Sequence, residues 1–285
     1  MTPLGEGTPG RPADAGPVWI KICGIRDAEA AFAAVEAGAD ALGFVFAPSP
    51  RRVDPDGAAR IVAAVRGRVA RGDGDGGARA PASVGVFVDA PVTEMVAVAR
   101  HVGLTHIQLH GDEPESVVAA LQERGFGVIR AVPVPRPGVA DHGTAAPLPA
   151  LALTTRADRV LVDAAAPGRR GGTGRLADWA AAARLARRRP VILAGGLDPG
   201  NVAEAIRVVR PWGVDVSSGV ERARGVKDPE RIARFVAAAR AAAPRTGGGV
   251  AAGSGAPRDG SLAGGVGAGP RARGGDACVP PPAGG

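Results

Sequence analysis

Eight short apolar runs lie between Val18 and Ala243, and all but the fifth are followed by a longer stretch with helical spacing. Apolar runs of this length, unbroken by polar alternation, suit parallel strands covered on both faces. Strands that alternate with helices build a parallel sheet. The first run is Val18-Trp19-Ile20-Lys21-Ile22-Cys23-Gly24-Ile25, and the second is Ala41 to Phe46. Later runs begin at Ser83, His106, Val128, Arg159, Val191 and Val214. Seven helices are clear, from Asp27 to Ala37 through to Asp228 to Ala243. The fifth is doubtful, because Pro133 to Pro149 holds five prolines and leaves room only for a short helix near Leu148 to Thr154. The expected fold is α/β, a single (β/α)8 TIM barrel. An open doubly wound sheet would carry a glycine-rich nucleotide loop after its first strand. Here that turn reads Cys23-Gly24-Ile25-Arg26.

The ends differ in composition from the barrel. From Thr246 to Gly285, 14 glycines and 5 prolines fill nearly half the segment and leave almost no large apolar side chain to bury. Such a stretch cannot offset its ordering entropy. The expected organisation is a flexible N-terminal extension at 1–16, the barrel at 17–245 and a disordered tail at 246–285.

A net charge of +7 raises the question of nucleic acid. The tail carries three arginines against two aspartates, and elsewhere arginines are scattered among acids. Arg187-Arg188-Arg189 closes a helix, where cations suit the dipole, and no interleaved aromatics offer base stacking. A small anionic substrate explains a basic surface as well, so no nucleic-acid partner is expected. The two cysteines, Cys23 and Cys278, make no disulfide framework. No apolar run approaches a membrane span, and the N-terminus lacks a signal-peptide core. A cytoplasmic location with no membrane partner is expected.

Three glycine-bearing turns follow the last three strands: Gly171-Gly172-Thr173-Gly174, Gly195-Gly196-Leu197 and Ser217-Ser218-Gly219. Glycine lets backbone N–H groups approach an anion, and loops after strands seven and eight are the usual phosphate site of a barrel. They match neither a P-loop nor a dinucleotide fingerprint. Cys23 ends the first strand and Asp163 the sixth, both at the face where barrels keep their chemistry.

The motifs Lys21-Ile22-Cys23-Gly24-Ile25, Gly85-Val86-Phe87-Val88, Gln108-Leu109-His110-Gly111, Leu161-Val162-Asp163 and Asp215-Val216-Ser217-Ser218-Gly219-Val220-Glu221 occur in this order. In them the chain from Trp19 to Ala243 resembles the phosphoribosylanthranilate isomerase family of tryptophan biosynthesis. The resemblance implies an Amadori rearrangement of an aminoaldose phosphate to an aminoketose, with Cys23 as general base and Asp163 as general acid. It further implies that Arg52, rather than its neighbour Arg51, holds the anthranilate carboxylate. Gly196, Ser218 and Gly219, helped by Gly174, would hold the phosphate. His110, at a strand end, is expected to line the site. The rearrangement needs no metal or cofactor, and the expected partner is a phosphorylated small molecule, with the protein a monomer or weak homodimer.

Other readings are weaker. His106 and His110 stand four apart on a strand, which does not converge two ligands on a metal as a helix would. A Schiff-base aldolase needs a lysine high on a strand, and the only lysines are Lys21 and Lys227. The related histidine-pathway aminoaldose is handled in resembling barrels by paired aspartates rather than a cysteine. Asp89 is expected to cap the third helix, and the tryptophans to pack. Finally, alternation puts Lys21 on the same inward face as Cys23. An ammonium there needs a partner. Asp215 on the neighbouring eighth strand is the candidate, and the pair is expected to favour the Cys23 thiolate.

Overall fold

Each strand pairs in parallel with the next, and the first also pairs with the eighth, so the sheet closes on itself. The computed structural model of the chain describes residues 17–72, 80–134, 148–164 and 179–242. Its order is β1 (Trp19–Cys23), α1 (Ala28–Glu36), β2 (Ala41–Val45), α2 (Pro55–Ala70), β3 (Ala82–Phe87) and α3 (Val92–Val102). Then come β4 (His106–Leu109), α4 (Glu115–Gln122), β5 (Gly127–Val134), α5 (Ala150–Thr154), β6 (Arg159–Ala164) and α6 (Trp179–Ala186). The chain continues with β7 (Val191–Leu193), α7 (Val202–Val209), β8 (Gly213–Val216), β9 (Glu221–Ala223), β10 (Val226–Lys227) and α8 (Pro229–Ala242). The expected eightfold barrel is therefore present. The 1–16 extension and the whole 246–285 tail lie outside the described residues, as do residues 73–79 and the loop carrying Gly174.

Local signals account for many of the boundaries. Asp27 caps α1 by accepting from the Ala30 N–H at 2.8 Å, and Asp54 caps α2 through Gly57 at 2.8 Å. Pro55 occupies the first turn of α2, where its missing N–H is not needed. The doubtful fifth helix is real but only five residues long.

Two apolar layers follow from strand alternation. Outward-facing residues such as Ile20, Ile22, Phe44, Val160 and Val162 pack against Ala31, Val62, Met95 and Phe235 of the helices. Inward-facing Ala41, Val84, Ile129, Leu161 and Ile192 fill the barrel. At its N-terminal mouth Trp19 packs tilted against Trp212, ring centroids 5.1 Å apart, and the Arg159 guanidinium lies 4.3 Å from the Trp212 ring. Two of the three tryptophans thus close the end opposite the chemistry.

Two expectations change. Asp89 does not cap α3, which starts at Pro91 without a side-chain cap. Its φ is +51°, its N–H donates to Glu113 at 2.9 Å, and its carboxylate accepts from the Asp112 N–H at 2.6 Å, tying the β3 and β4 turns together. The antiparallel pair β9–β10, after β8, is an addition to the expected elements. Strands of three and two residues are too short to show a period.

Candidate active site

At the C-terminal end of the barrel the strand tips surround a cavity of about 590 Å³, lined among others by Cys23, Arg51, Gln108, His110, Asp163, Gly196, Ser217 and Ser218. That volume falls in the ~300–1,000 Å³ range of small-molecule sites. Cys23 ends β1 and Asp163 lies on β6, with β7 and β8 between them round the barrel.

Beneath Cys23 lies the buried pair expected from strand parity. Lys21 and Asp215 are register partners across β1 and β8. Lys21 is fully buried, and its Nζ is 2.8 Å from Asp215 Oδ1. Burial pushes the ammonium down, but the negative groups Asp215 and Cys23 outweigh it, and its pKa is pushed up to about 12. On the neighbouring strand, Gly43 makes the space: a Cβ there would come 2.9 Å from both Cys23 Sγ and Lys21 Cε. The expected help to the thiolate is only part of the balance. Burial pushes the Cys23 thiol above its ordinary value; Lys21 and Lys227 pull it down, while Asp215 raises it. Desolvation prevails because the thiolate must give up water at a site 8% exposed.

Opposite, His110 Nε2 stands 3.5 Å from Asp163 Oδ2, and its Nδ1 is 3.0 Å from Gln108 Nε2. Gln108 is buried, and its Oε1 has no hydrogen-bond partner among the described residues. His106 instead faces the other mouth, beside Thr105 and close against Gly127, so the two histidines do not converge. Among the described residues no group of three or more His, Cys, Asp or Glu is placed to hold a metal ion.

The Gly196 and Ser218 turns meet at one side of the cavity. Asn201 holds the first through Gly196 O at 2.9 Å and the Asp198 N–H at 2.9 Å. Gly219 is not in the lining but sets the approach of the two turns: a Cβ there would sit 1.9 Å from Leu197 O.

Arg52, expected to hold the substrate carboxylate, is not brought to the cavity. Its side chain is exposed and absent from the cavity lining, whereas Arg51 is in it. In this loop Arg52 forms a bridge with Val45, and consecutive residues there face different ways. Arg51 is also the better-held group. Its Nε donates to Glu221 Oε1 at 2.7 Å and its Nη2 to Glu221 Oε2 at 3.0 Å. Glu221 also accepts from Lys227 Nζ at 2.9 Å and from the Gly225 N–H at 3.1 Å. Burial would raise the Glu221 carboxyl, but Arg51 and Lys227 hold it below the ordinary carboxylate range. Lys227 further donates to Ser217 O at 2.9 Å, and Ser217 Oγ donates to Cys23 O at 3.1 Å. The sequence alone assigns neither Glu221 nor Lys227 a role in the site. Only closure of the barrel brings them to Arg51.

Comparison with known proteins agrees with this geometry. The family described as N-(5'phosphoribosyl)anthranilate (PRA) isomerase matches residues 20–238. An N-(5'-phosphoribosyl)anthranilate isomerase of Roseiflexus sp. (strain RS-1) is 52% identical over 224 residues, covering 79% of this chain and 98% of that relative. The crystal structure of phosphoribosyl anthranilate isomerase from Thermotoga maritima superposes with a TM-score of 0.64 at 38% identity, over 79% of this chain and 99% of that one. A phosphoribosyl anthranilate isomerase solved in complex with reduced 1-(o-carboxyphenylamino)-1-deoxyribulose 5-phosphate gives 0.61 at 37% identity, with coverages of 79% and 99%. Among the described residues no helix is long and apolar enough to cross a membrane. With a closed eight-stranded barrel, these strand-end groups and this similarity along its length, the chain belongs to the phosphoribosylanthranilate isomerase family, the aldose–ketose isomerases of tryptophan biosynthesis.

Proposed function

We propose that this chain converts N-(5-phosphoribosyl)anthranilate to 1-(2-carboxyphenylamino)-1-deoxyribulose 5-phosphate, with Asp163 as general acid and Cys23 as general base. The observation that carries the reading is that Cys23 and Asp163, from separate strands, line one cavity. Asp163 in its acid form gives its proton to the furanose ring oxygen. The C1'–O bond breaks as the anilino nitrogen lone pair forms the iminium. Cys23, as thiolate, then takes the proton from C2', and that electron pair becomes the C1'=C2' bond of an enolamine, neutralising the iminium. Tautomerisation to the C2' ketone with protonation of C1' completes the aminoketose. A thiol raised by burial is a stronger base once ionised. His110 beside Asp163 suits a group that ends the first step as a carboxylate.

The substrate's two anions have matching surroundings. Arg51 is the guanidinium for the anthranilate carboxylate, since a planar fork suits that group. The Gly196 and Ser218 turns, packed together through Gly219, are the phosphate cradle, with Gly174 as a further contributor. The relative bound to the reduced product supports this choice of ligand. A cytoplasmic location and a monomeric or weakly dimeric state complete the proposal.

The test follows loss of substrate fluorescence, with the histidine-pathway aminoaldose as control. Cys23→Ser and Asp163→Asn should each stay folded and lose at least ~10²-fold in kcat, the lower range for acid–base groups. Either variant retaining more than about a tenth of parent activity would refute that residue's role.

A further inference from the structure

We infer that Glu221 is a positioning residue for substrate recognition: it holds one edge of the Arg51 guanidinium so that the other edge meets the substrate carboxylate. The inference rests on Arg51 being the carboxylate-binding residue.

A guanidinium has two edges that can form paired hydrogen bonds to a carboxylate. Its side edge is Nε with Nη2, and its end edge is Nη1 with the second proton of Nη2. Glu221 occupies the side edge with two short bonds, 2.7 and 3.0 Å. Nη1 has no hydrogen-bond partner among the described residues, so the end edge is left for a ligand. The stem is held as well. Arg51 runs across the backbone of Gly24, where a Cβ would lie 2.8 Å from Arg51 Cδ, and Gly24 has a φ of +79°. The Cys-Gly step after β1 therefore serves both neighbours: the thiol points into the cavity, and the next residue leaves room for the arginine.

Glu221 is itself fixed. It is 7% exposed and accepts four hydrogen bonds, two from Arg51 and one each from Lys227 and the Gly225 N–H. An arginine free in solvent loses rotamer freedom when it closes on a ligand. Arg51 has lost it already, so binding energy is not spent on ordering the side chain. A simple structural ion pair would have the same distances, but would not make Glu221 matter more for a carboxylated substrate than for an uncarboxylated one.

The experiment compares N-(5-phosphoribosyl)anthranilate with N-(5-phosphoribosyl)aniline, which lacks the carboxylate. The readout is the ratio of their kcat/KM values in the parent, Arg51→Ala, Glu221→Gln, Glu221→Asp and the double variant Glu221→Gln/Arg51→Ala. Taking the ratio cancels general loss of packing. Glu221→Gln should lower the ratio about tenfold, mainly through KM of the carboxylated substrate, and the double variant should be no worse than Arg51→Ala alone. Glu221→Asp, which keeps the charge but is one methylene shorter, should show a smaller loss in the same ratio and stands in if the amide variant does not fold. An unchanged ratio in the folded Glu221 variants, or a loss in the double variant that adds in full to that of Arg51→Ala, overturns the inference while leaving Arg51's role intact. A parent that turns over both substrates equally well overturns the Arg51 reading, and this inference with it.

Discussion

Replacing Lys21 with Met removes the ammonium under the candidate base while keeping most of the side-chain volume. Asp215, 8% exposed, is then left without the cation 2.8 Å away. Breaking a buried pair from one side costs ~3–5 kcal/mol. In a domain of this size each kcal/mol moves Tm by ~2–4 °C, so melting should fall by roughly 6–20 °C. Lys21→Met/Asp215→Asn, which removes both charges, should recover much of that loss. The parent pair has the sign of a raised cation. Its contribution is complete below the ordinary lysine value of 10.5 and is lost only as pH rises towards about 12. The same substitution acts on the thiol. It removes a charge that pulls the Cys23 thiol down while Asp215, which raises it, stays in place, so the alkylation profile should move to higher pH. The assay is the pH dependence of Cys23 alkylation in a Cys278→Ser background, alongside thermal melting. A folded Lys21→Met protein with an unchanged alkylation profile, or with Tm within about 2 °C of the parent, would refute the coupling.

Gly43→Ala should reduce kcat by about tenfold or more with little change in KM, since the new methyl group displaces Cys23 Sγ and Lys21 Cε; parent kcat would show that the strand yields instead. Arg51→Ala should raise KM for the carboxylated substrate by about tenfold or more, while Arg52→Ala, at an exposed position, leaves it within about twofold. The reverse pattern would return the carboxylate to Arg52. Because the folded Glu221 carboxyl is held below its ordinary value of 4.5, its contribution is present above that value and lost as pH falls through the depressed one. Urea midpoints should therefore decline below about pH 4.5 more steeply for the parent than for Glu221→Gln; equal slopes would contradict the shift.

Periodicity made most of the barrel legible in the chain. Eight apolar runs spaced by helices admit few topologies, and once closure is assumed, strand parity pairs Lys21 with Asp215 across 194 positions. The same reasoning reads Cys23 and Asp163 at strand ends, because a strand has a period that tells which residues face inward. Loops have none. Arg51 and Arg52 are adjacent and alike, and only the path of the β2 turn over Gly24, with Glu221 waiting 170 positions away, decides which one lines the cavity. The short β9–β10 hairpin that brings Glu221 and Lys227 there was equally hidden. The sign of the thiol shift belonged to tertiary structure too: sequence could place a lysine below Cys23, but the opposing loss of water depends on burial depth, which exists only once the barrel has closed.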